Sequence, residues 1–505
     1  MKQKLAAALR ELKKLQDRHN GVVESGDLSA QHRRLLVDTG FLRLVMKGWY
    51  VCANPQDSDA ESTAWYAGYW AFLSGYLGKR FGKRYCLNPE ASLLLQTGNT
   101  VVPRQVVVVT KEGGTSVLKL PSEMSLLLYE DENRVPKNRV EVGGLQVYPV
   151  PEALALVPAT FFRNHPRDAQ IALSLVRDAS ELLSVLLTPS SQPAVVGRLV
   201  GALRFVERSD EADRIVNTMK SVHLQVRETN PFAIEAPSIS TSRERSPYVL
   251  RLDAMWHDWR EEIIRVFPAE PGLAVDAKKY LAQVQERYTA DAYNSLSIEG
   301  YQVTEELIER VATGGWDPDQ NPEDKKDRDA LAARGYYESF KLVKESLRKV
   351  LARKNAGETV QKDHHDWYAA LFSPAVTAGI VTKSQLAGYR TGPVYIRNSM
   401  HTPLPRVALL DAMEKLLSLL TTEPNAAVRA VLGHHLFVFI HPYFDGNGRL
   451  ARFLLNVMLA SGGYPWTVVR MKRRRAYMSA LEDASVRERI ESLANFIAEE
   501  MQARS

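Results

Sequence analysis

The sequence predicts a mainly α protein in which a small helix–turn–helix unit and an α+β region precede a C-terminal half that is almost entirely helical. Three observations support this division. From residue 249 to the end, apolar residues recur at the spacing of amphipathic helices, interrupted by one β-like segment. Runs rich in β-branched residues, such as Val106–Val109, lie in the first half. Residues 229–247 carry Asn-Pro, Ala-Pro and a Ser/Thr/Arg-rich stretch, which predict a linker.

Composition limits the classes of protein that remain open. A chain of 505 residues is long enough for about two to four domains. It contains no run of about 18 apolar residues, and charges follow Met1 closely, so we expect no membrane span, no secretory signal and a cytoplasmic location. Two cysteines exclude a disulfide framework and a cysteine-based zinc site. The net charge of +6 and the pI of about 9.0 permit an anionic partner without demanding one.

Residues 1–55 predict a winged helix-turn-helix. Leucines recur at helical spacing over residues 3–18, and Ser29 is a suitable N-cap for a second helix over residues 30–38. Two β-prone runs around Met46-Lys47-Gly48 predict a hairpin. In such a unit the second helix enters the major groove and the hairpin tip meets phosphate, although the same unit can instead pack against protein. The residues placed to contact DNA are Gln31, Arg33, Arg34 and Lys47.

Residues 56–228 predict an α+β domain with no catalytic group of residues. Strands are expected within 101–110, 117–120 and 145–148, and helices at 168–186 and 193–206. Four strings stand out: Trp49-Tyr50, Asn88-Pro89-Glu90-Ala91, Val102-Pro103-Arg104 and Pro151-Glu152-Ala153-Leu154. Together they resemble the AbiEi-like antitoxin and regulator proteins of bacteria, over roughly residues 1–220. Because those proteins begin with a winged helix, the resemblance implies DNA binding.

One loop gathers the groups that phosphoryl or nucleotidyl transfer requires. It reads His441-Pro442-Tyr443-Phe444-Asp445-Gly446-Asn447-Gly448-Arg449-Leu450-Ala451-Arg452, between helices predicted at 425–440 and 448–461. A Gly-Asn-Gly turn that enters a helix presents several backbone N–H groups to one point, and such a nest binds phosphate. Arg449 and Arg452 share a helix face and suit polyphosphate oxygens. Asp445 can hold a Mg²⁺ that a nucleotide brings, and His441 is a candidate general base.

This loop is similar to the Fic motif, His-Pro-Phe-x-Asp/Glu-Gly-Asn-Gly-Arg-x-x-Arg, and departs from it only at Tyr443, where phenylalanine is usual. The resemblance covers roughly residues 250–500 and implies an all-α Fic domain, which we place at 248–505. It implies that ATP binds with its phosphates against Gly446, Asn447 and Gly448, and that Arg449 and Arg452 hold the β- and γ-phosphates. It further implies that His441 takes the proton from a Ser, Thr or Tyr hydroxyl of a target protein, which then receives AMP while pyrophosphate leaves.

A second string resembles the inhibitory motif of this family, Ser/Thr-x-x-x-Glu-Gly/Asn. It reads Ser295-Leu296-Ser297-Ile298-Glu299-Gly300, at the end of a predicted helix over 273–293 and its continuation. The resemblance implies that Ser295, Glu299 and Gly300 form an internal brake. In that arrangement Glu299 pairs with Arg452 and takes the place of the γ-phosphate.

The β-like segment of the C-terminal half, residues 388–403, looks like the flap of this family, a hairpin over the active site. A target segment could add to its edge as a strand, beside Val394, Tyr395 and Ile396. The alternative is an inert surface hairpin.

Later in the sequence, the basic cluster Met471–Arg475 predicts a solvated helix face, or else a docking site for an acidic partner.

The function favoured by the sequence is self-restrained protein AMPylation. Other outcomes at the same site are transfer of another nucleotide, phosphate transfer or removal of AMP. An alternative of another class is a DNA-binding regulator or antitoxin whose Fic domain senses nucleotide. The expected partners are a hydroxyl-bearing target protein, DNA and, because Fic domains often dimerise, a second copy of the chain.

Overall fold

The computed structural model describes residues 2–19, 21–53, 55, 63–188, 192–233, 246–314, 328–382, 386 and 388–503. The chain forms two compact units. The first contains Met1–Ala254 and Tyr395–Thr402, and the second contains Met255–Val394 and Pro403–Ser505. Helices dominate the described residues, which confirms the mainly α prediction. None of the described helices has both the length and the apolar character needed to cross a membrane.

The first unit begins with the helices and hairpin predicted for residues 1–55. The elements are α1 (Lys2–His19), β1 (Val22–Glu24), α2 (Ala30–Asp38), β2 (Leu42–Met46) and β3 (Trp49–Cys52). Ser29 caps α2 by accepting the His32 N–H at 3.1 Å, and Gly48 supplies the positive φ that the hairpin turn requires. Strand β1 was not predicted, because three residues are too few to show a period. It pairs with β3, so the strand order is β1-β3-β2.

The rest of the first unit mixes helices with a four-stranded sheet, as predicted for residues 56–228. The helices are α3 (Thr63–Phe81), α4 (Pro89–Gln96), α5 (Val150–Leu156), α6 (Ala159–Asn164), α7 (Pro166–Leu175), α8 (Ala179–Leu186), α9 (Pro193–Phe205) and α10 (Ser209–Ser221). The strands are β4 (Tyr85–Leu87), β5 (Gln105–Thr110), β6 (Ser116–Lys119), β7 (Ser125–Glu130), β8 (Val140–Val142) and β9 (Leu145–Val147). The sheet order is β4-β5-β7-β6, and only β5 and β7 in it are parallel. Two helices, α7 and α8, stand where a single helix was expected at 168–186. They are separate because the Asp178 side chain caps the start of α8 by accepting the Ser180 N–H at 2.7 Å.

The predicted linker over 229–247 is packed at its start. The Thr229 N–H donates to the Gly197 carbonyl at 3.1 Å, and Phe232 is buried with its ring stacked 4.5 Å from that of Phe205. Gly201 lets this chain approach α9, because a Cβ there would collide with the Thr229 backbone. Residues 234–245 lie outside the described residues, so the linker over 229–247 stays a prediction, with its first residues packed against α9.

The second unit is helical throughout its described residues, apart from loops and short 3-10 turns. Its helices are α11 (Pro247–Val266, of which the unit contains the part from Met255), α12 (Ala277–Glu286), α13 (Tyr288–Ile298), α14 (Glu305–Ala312), α15 (Arg328–Leu351), α16 (Ala356–Thr377), α17 (Leu409–Thr422), α18 (Ala426–Ile440), α19 (Asn447–Ser461), α20 (Arg474–Arg487) and α21 (Glu491–Gln502). Almost every residue of α18 and α19 is buried, so this pair forms the centre of the unit. The helix expected over 273–293 is again two helices, and the last expected helix, 484–502, is likewise divided between α20 and α21.

The predicted flap hairpin is wrong. Residues 388–403 are all described, and among them only His401 enters a β-bridge, with Val101 of the first unit. The Met400 carbonyl accepts the Val102 N–H at 3.3 Å, and the Thr402 N–H donates to the Thr100 carbonyl at 2.9 Å. These bonds use the groups that the second arm of a hairpin would need. On the first arm Pro393 has no N–H to donate.

Candidate functional site

The predicted loop joins α18 to α19 and begins with a strained residue. Helix α18 ends at Ile440 because Pro442 disfavours a helical conformation at the residue before it. His441 instead adopts the left-handed conformation, with φ 55° and ψ 61°. For a residue with a side chain this conformation costs about 1–2 kcal/mol. A strained residue persists only where its surroundings hold it, and such residues cluster at functional sites.

The imidazole of His441 is oriented and kept neutral. Its Nδ1 lies 3.1 Å from the Val438 carbonyl. Because a carbonyl can only accept, Nδ1 carries the proton and Nε2 carries a lone pair. Burial lowers the pKa of His441 to about 4, and although the Val438 carbonyl favours protonation, the Arg390 charge opposes it. His441 is therefore neutral near pH 7 and can accept a proton from a hydroxyl group.

Helix α19 begins in the predicted glycine turn. Gly446 has φ 82°, and a Cβ there would lie 3.0 Å from the side chains of Leu371 and Phe372. Both restrictions favour glycine. The first N–H groups of α19 have no acceptor within the helix, and its dipole places partial positive charge at this end. The loop therefore meets α19 at an anion-binding position.

Asn447 has a role in the loop that the sequence did not reveal. Its side-chain oxygen accepts the Tyr443 N–H at 2.9 Å, and its amide nitrogen donates to the Tyr443 carbonyl at 2.8 Å. The side chain is buried and holds the loop closed on itself. The predicted phosphate contact of Asn447 can therefore come from its backbone N–H, while its side chain stays on the loop.

Arg449 is buried in an aromatic sandwich. Its guanidinium lies 5.2 Å from the ring centroid of Tyr301 and 5.3 Å from that of Phe372. One of its nitrogens donates to Asp445 at 3.1 Å. Burial raises the pKa of Asp445, but the charge of Arg449 and the Gly446 N–H lower it further, so its pKa lies below the usual value. Asp445 is thus ionised at the mouth of the nest. The sequence analysis did not identify Tyr301 as a site residue, because no short sequence pattern places it beside Arg449.

Arg452 is tied to the predicted inhibitory helix, α13. Its Nε donates to the Ser295 hydroxyl at 2.9 Å, and another nitrogen donates to the Ser295 carbonyl at 3.0 Å and to Glu299 Oε1 at 2.7 Å. The same Glu299 oxygen lies against Gly448, where an added Cβ would collide with it. The carboxylate therefore contacts both the glycine turn and the second arginine of the loop.

The end of α13 is shaped by Gly300. Its N–H donates to the Ser297 carbonyl at 3.0 Å, and the Tyr301 N–H donates to the Leu296 carbonyl at 3.2 Å. With φ 89° at Gly300, this is a Schellman ending, which glycine adopts without steric cost. It places Glu299 on the last turn and turns Tyr301 back towards Arg449.

Part of the basic cluster Met471–Arg475 is engaged with protein, while Lys472 and Arg475 are exposed. Arg474 donates to the Ile298 carbonyl at 2.9 Å, and the Met471 N–H donates to the Asn294 side chain at 2.7 Å. Arg473 pairs with Glu499 at 2.7 Å and Glu500 at 2.9 Å. The interpretation as a solvated helix face therefore does not describe Arg473 and Arg474, and the contacts of Arg474 and Met471 fix the end of α13.

The hydroxyl of Tyr443, the one departure from the motif, has a specific partner. It forms a hydrogen bond of 3.0 Å with His365 Nδ1, while the ring stacks on Tyr368 with centroids 3.8 Å apart. Burial lowers the pKa of His365 and raises that of Tyr443, so both stay neutral. Tyrosine thus fills the packing position of the usual phenylalanine and ties the loop to α16.

The metal prediction rests on one carboxylate. Among the described residues, no group of three or more His, Cys, Asp or Glu side chains could hold an ion without help. Asp445 has a side chain that is 60% exposed, with oxygens partly engaged by Gly446 and Arg449. A single exposed carboxylate fits a Mg²⁺ whose other ligands are phosphate oxygens and water.

The residues predicted to contact DNA or a target protein lie in the first unit, apart from Val394. Gln31, Arg34 and Lys47 are exposed, whereas Arg33 is turned inwards and donates to the carbonyls of Ser25 and Leu28. Arg33 therefore stabilises the turn before α2. In the segment predicted as a flap, Tyr395 is exposed and Val394 and Ile396 are half-buried. A docking role for these three residues stays a prediction.

Comparison with known proteins identifies relatives of part of the chain. Residues 361–459 match the Fic/DOC family. The chain is 32% identical over 101 residues to protein adenylyltransferase fic-1 of Caenorhabditis briggsae, a match that covers 19% of this chain and 20% of the relative. It is 33% identical over 99 residues to a probable protein adenylyltransferase of Aquifex aeolicus (strain VF5), covering 19% of this chain and 30% of the relative. The solved structure of Fic-1 from C. elegans aligns with a TM-score of 0.36 and 17% identity, over 70% of this chain and 88% of that one. The matches thus span about a fifth to a third of these curated relatives.

Proposed function

We propose that the Fic domain of this chain transfers AMP from ATP to a hydroxyl group of a target protein and is restrained by its own Glu299. The observation that carries this proposal is the arrangement around the loop. A neutral imidazole at His441 and two buried arginines, Arg449 and Arg452, lie within twelve consecutive residues around a helix N-terminus. A base, an anion-binding turn and fixed positive charge are what transfer of a nucleotide requires.

The proposed reaction is an in-line displacement at the α-phosphorus. Nε2 of His441 accepts the proton of the target hydroxyl, and the hydroxyl oxygen forms a bond to that phosphorus. The bond between the α-phosphorus and the bridging oxygen breaks, and pyrophosphate leaves. The first N–H groups of α19 and the two arginines neutralise the charge on the phosphates. Asp445 would hold a Mg²⁺, which would supply further positive charge to the phosphates.

Autoinhibition is the second part of the proposal. The Glu299 carboxylate bonds to Arg452 at 2.7 Å and lies against Gly448. These are the two positions that a γ-phosphate would need. A carboxylate and a phosphate oxygen compete for one guanidinium, so ATP can bind only with its phosphates displaced from the geometry for in-line attack. The contacts that fix the end of α13, from Arg474 and Asn294, support the same interpretation.

The experiment that tests the reaction uses ATP labelled at two positions. The full chain carrying Glu299→Gly is incubated with host lysate, Mg²⁺ and ATP labelled at either the α- or the γ-phosphorus. Label is counted above that given by the Glu299→Gly, His441→Ala double variant, which measures the background from kinases of the lysate. We expect protein-bound label from α-labelled ATP alone, because the γ-phosphorus leaves in pyrophosphate. Label from γ-labelled ATP would show phosphate transfer instead. Absence of label with ATP and with every other nucleotide would rule out transfer.

A second proposal concerns the first unit, which we propose binds DNA through α2 and the β2–β3 hairpin. The exposed side chains of Gln31, Arg34 and Lys47 support it, since exposed basic groups beside a helix and a hairpin suit phosphate contacts.

Charge reversal at Arg34 and Lys47 together is expected to weaken DNA binding by the full chain about tenfold or more, because each basic side chain contributes to counterion release. Fluorescence anisotropy with labelled duplexes over a salt series would measure this, and the salt slope should fall by roughly one for each phosphate that is no longer neutralised. Lys119→Glu and Lys137→Glu together, an equal charge change at other exposed sites of the unit, serve as the control. Equal weakening by both variants, or binding that ignores DNA sequence at physiological salt, would contradict the proposal.

A further inference from the structure

Arg390 is a buried arginine that contacts the backbone of the catalytic loop. Only 3% of its surface is exposed. Its Nε donates to the His441 carbonyl at 2.7 Å, and its backbone N–H donates to the Pro442 carbonyl at 2.8 Å. Its other guanidinium nitrogens donate to the carbonyls of Gly392 at 3.0 Å, Leu404 at 2.5 Å and Ile440 at 3.5 Å.

We propose that Arg390 is a positioning residue that holds His441 in the geometry of a general base, an inference that rests on the proposed AMP transfer. The last carbonyls of an α-helix have no donors within the helix. At the end of α18 the His441 N–H donates to the Phe437 carbonyl at 3.0 Å, and its Nδ1 donates to the Val438 carbonyl. Arg390 donates to the carbonyls of Ile440 and His441. Backbone and ring of His441 are thus held by one continuous set of bonds.

The left-handed backbone of His441 needs such a support. With φ 55° the residue would otherwise relax towards the right-handed region, and its imidazole would swing with the backbone. Arg390 fixes the peptide group after His441 through the His441 carbonyl, and fixes the next one through the Pro442 carbonyl. The ring direction of His441 is therefore determined largely by a residue about fifty positions earlier in the chain.

The chemistry of arginine suits this position better than that of lysine. Burial lowers the pKa of Arg390 to about 10, so it stays charged at neutral pH. A positive charge at the C-terminal end of α18 also complements the helix dipole. A guanidinium has five donors in a fixed plane and can serve four separate carbonyls, whereas an ammonium group is a single point with three donors.

Arg429, a half-buried arginine of α18, provides a matched control for Arg390. It lies near the start of α18, where its guanidinium donates to the Glu423 carbonyl and to the Ser461 hydroxyl at 2.8 Å. It too is desolvated, since burial lowers its pKa. Replacing it removes a comparable set of structural hydrogen bonds without touching the loop.

The test compares Arg390→Met, Arg390→Lys and Arg429→Met, each in the full chain carrying Glu299→Gly. We expect Arg390→Met to lower kcat roughly 10²-fold with little change in the KM for ATP, because a misplaced base affects the chemical step rather than binding. The kcat of Arg390→Lys should lie between those of the parent and of Arg390→Met. Arg429→Met should keep kcat within a few-fold of the parent, even if its Tm drops as much as that of Arg390→Met. A loss of kcat no larger than that of Arg429→Met would overturn the inference, as would a rise in KM with kcat unchanged.

A spectroscopic readout separates this inference from the proposed function. Nitrogen-15 spectra of histidine-labelled protein, with His441 assigned by its absence in His441→Ala, report which ring nitrogen carries the proton. We expect Nδ1 to be protonated in the parent and in Arg429→Met, and a mixture of both forms in Arg390→Met and, to a smaller extent, in Arg390→Lys. Unchanged His441 signals in both Arg390 variants would overturn the positioning role. If Glu299→Gly transfers no nucleotide, the proposed function fails, and these spectra still decide the role of Arg390.

Discussion

Glu299→Gly is expected to raise AMP transfer roughly 10²-fold above that of the unmodified chain. Breaking a fully buried ion pair costs about 3–5 kcal/mol. Here only Arg452 is buried and the side chain of Glu299 is 28% exposed, so the lower end applies. An effect of about 3 kcal/mol corresponds to roughly two powers of ten. Removing the carboxylate frees Arg452 and the space against Gly448 for the γ-phosphate. Incorporation of α-labelled AMP into protein measures the change.

The control for this prediction is Glu286→Gly. Glu286 is likewise an exposed glutamate at the last turn of a helix, α12, so the substitution has a similar cost to the helix without touching Arg452. We expect Glu286→Gly to leave transfer unchanged. Glu299→Gln should activate less than glycine, because an amide oxygen can still accept a hydrogen bond from Arg452. Equal activity of the unmodified chain and Glu299→Gly would refute the brake while leaving the transferase intact.

His441→Ala is expected to lower transfer by roughly 10²–10⁴-fold in the Glu299→Gly background, the usual contribution of a general base. ATP binding should change only a few-fold, because the phosphates are held by α19 and the arginines rather than by the imidazole. Isothermal titration with ATP and labelling assays would separate the two effects. The matched control is His257→Ala, which removes an exposed histidine from α11 of the same unit.

The pH profile gives an independent check on His441. Because its folded pKa is lowered to about 4, below the ordinary value of about 6.5, the neutral form persists as pH falls through the range where an ordinary histidine would protonate. Glu299 carries a charge that favours protonation of His441, so its removal gives no electrostatic rise of this pKa. We expect kcat/KM of Glu299→Gly to stay nearly flat from pH 7 to about 5. A loss of activity centred near pH 6.5 would contradict the buried, neutral state of His441.

Some of the site could be predicted because its groups are contiguous. The base, the glycine turn and both arginines lie between residues 441 and 452, so one string contained both the chemistry and the helix break that shapes it. Residues 361–459, which match the Fic/DOC family, contain this string. The prediction for Glu299 also agrees with its observed contact to Arg452, although those residues are far apart in sequence. The resemblance to the family's inhibitory motif predicted the pairing of Glu299 with Arg452, which the spacing of apolar residues could not predict.

The remaining parts of the site depend on long-range contacts that leave no local pattern. Arg390 and Tyr301 are isolated residues in loops, and their positions follow only from packing in three dimensions. The flap prediction was wrong for a similar reason. Its sequence has strand-like composition, but the backbone groups of Met400 and Thr402 bond elsewhere, and propensity cannot choose between partners. Likewise Asn447 was assigned to phosphate as part of the glycine turn, and only the geometry shows that its side-chain amide bonds to Tyr443.

In the proposed autoinhibition, the position of Glu299 on the last turn of α13, just before the glycine ending, makes release of Arg452 a local equilibrium. The ends of helices open at free energies far below that of global unfolding, so this turn can separate from Arg452 while Ser295, one turn earlier, stays in place. The resting population of open molecules then sets the basal rate. The ratio of basal activity to that of Glu299→Gly measures the free energy of that opening, with each tenfold step equal to about 1.4 kcal/mol. A partner that binds the open state of this turn more tightly than the closed state would act as an activator. The degree of activation would follow the ratio of its affinities for the two states.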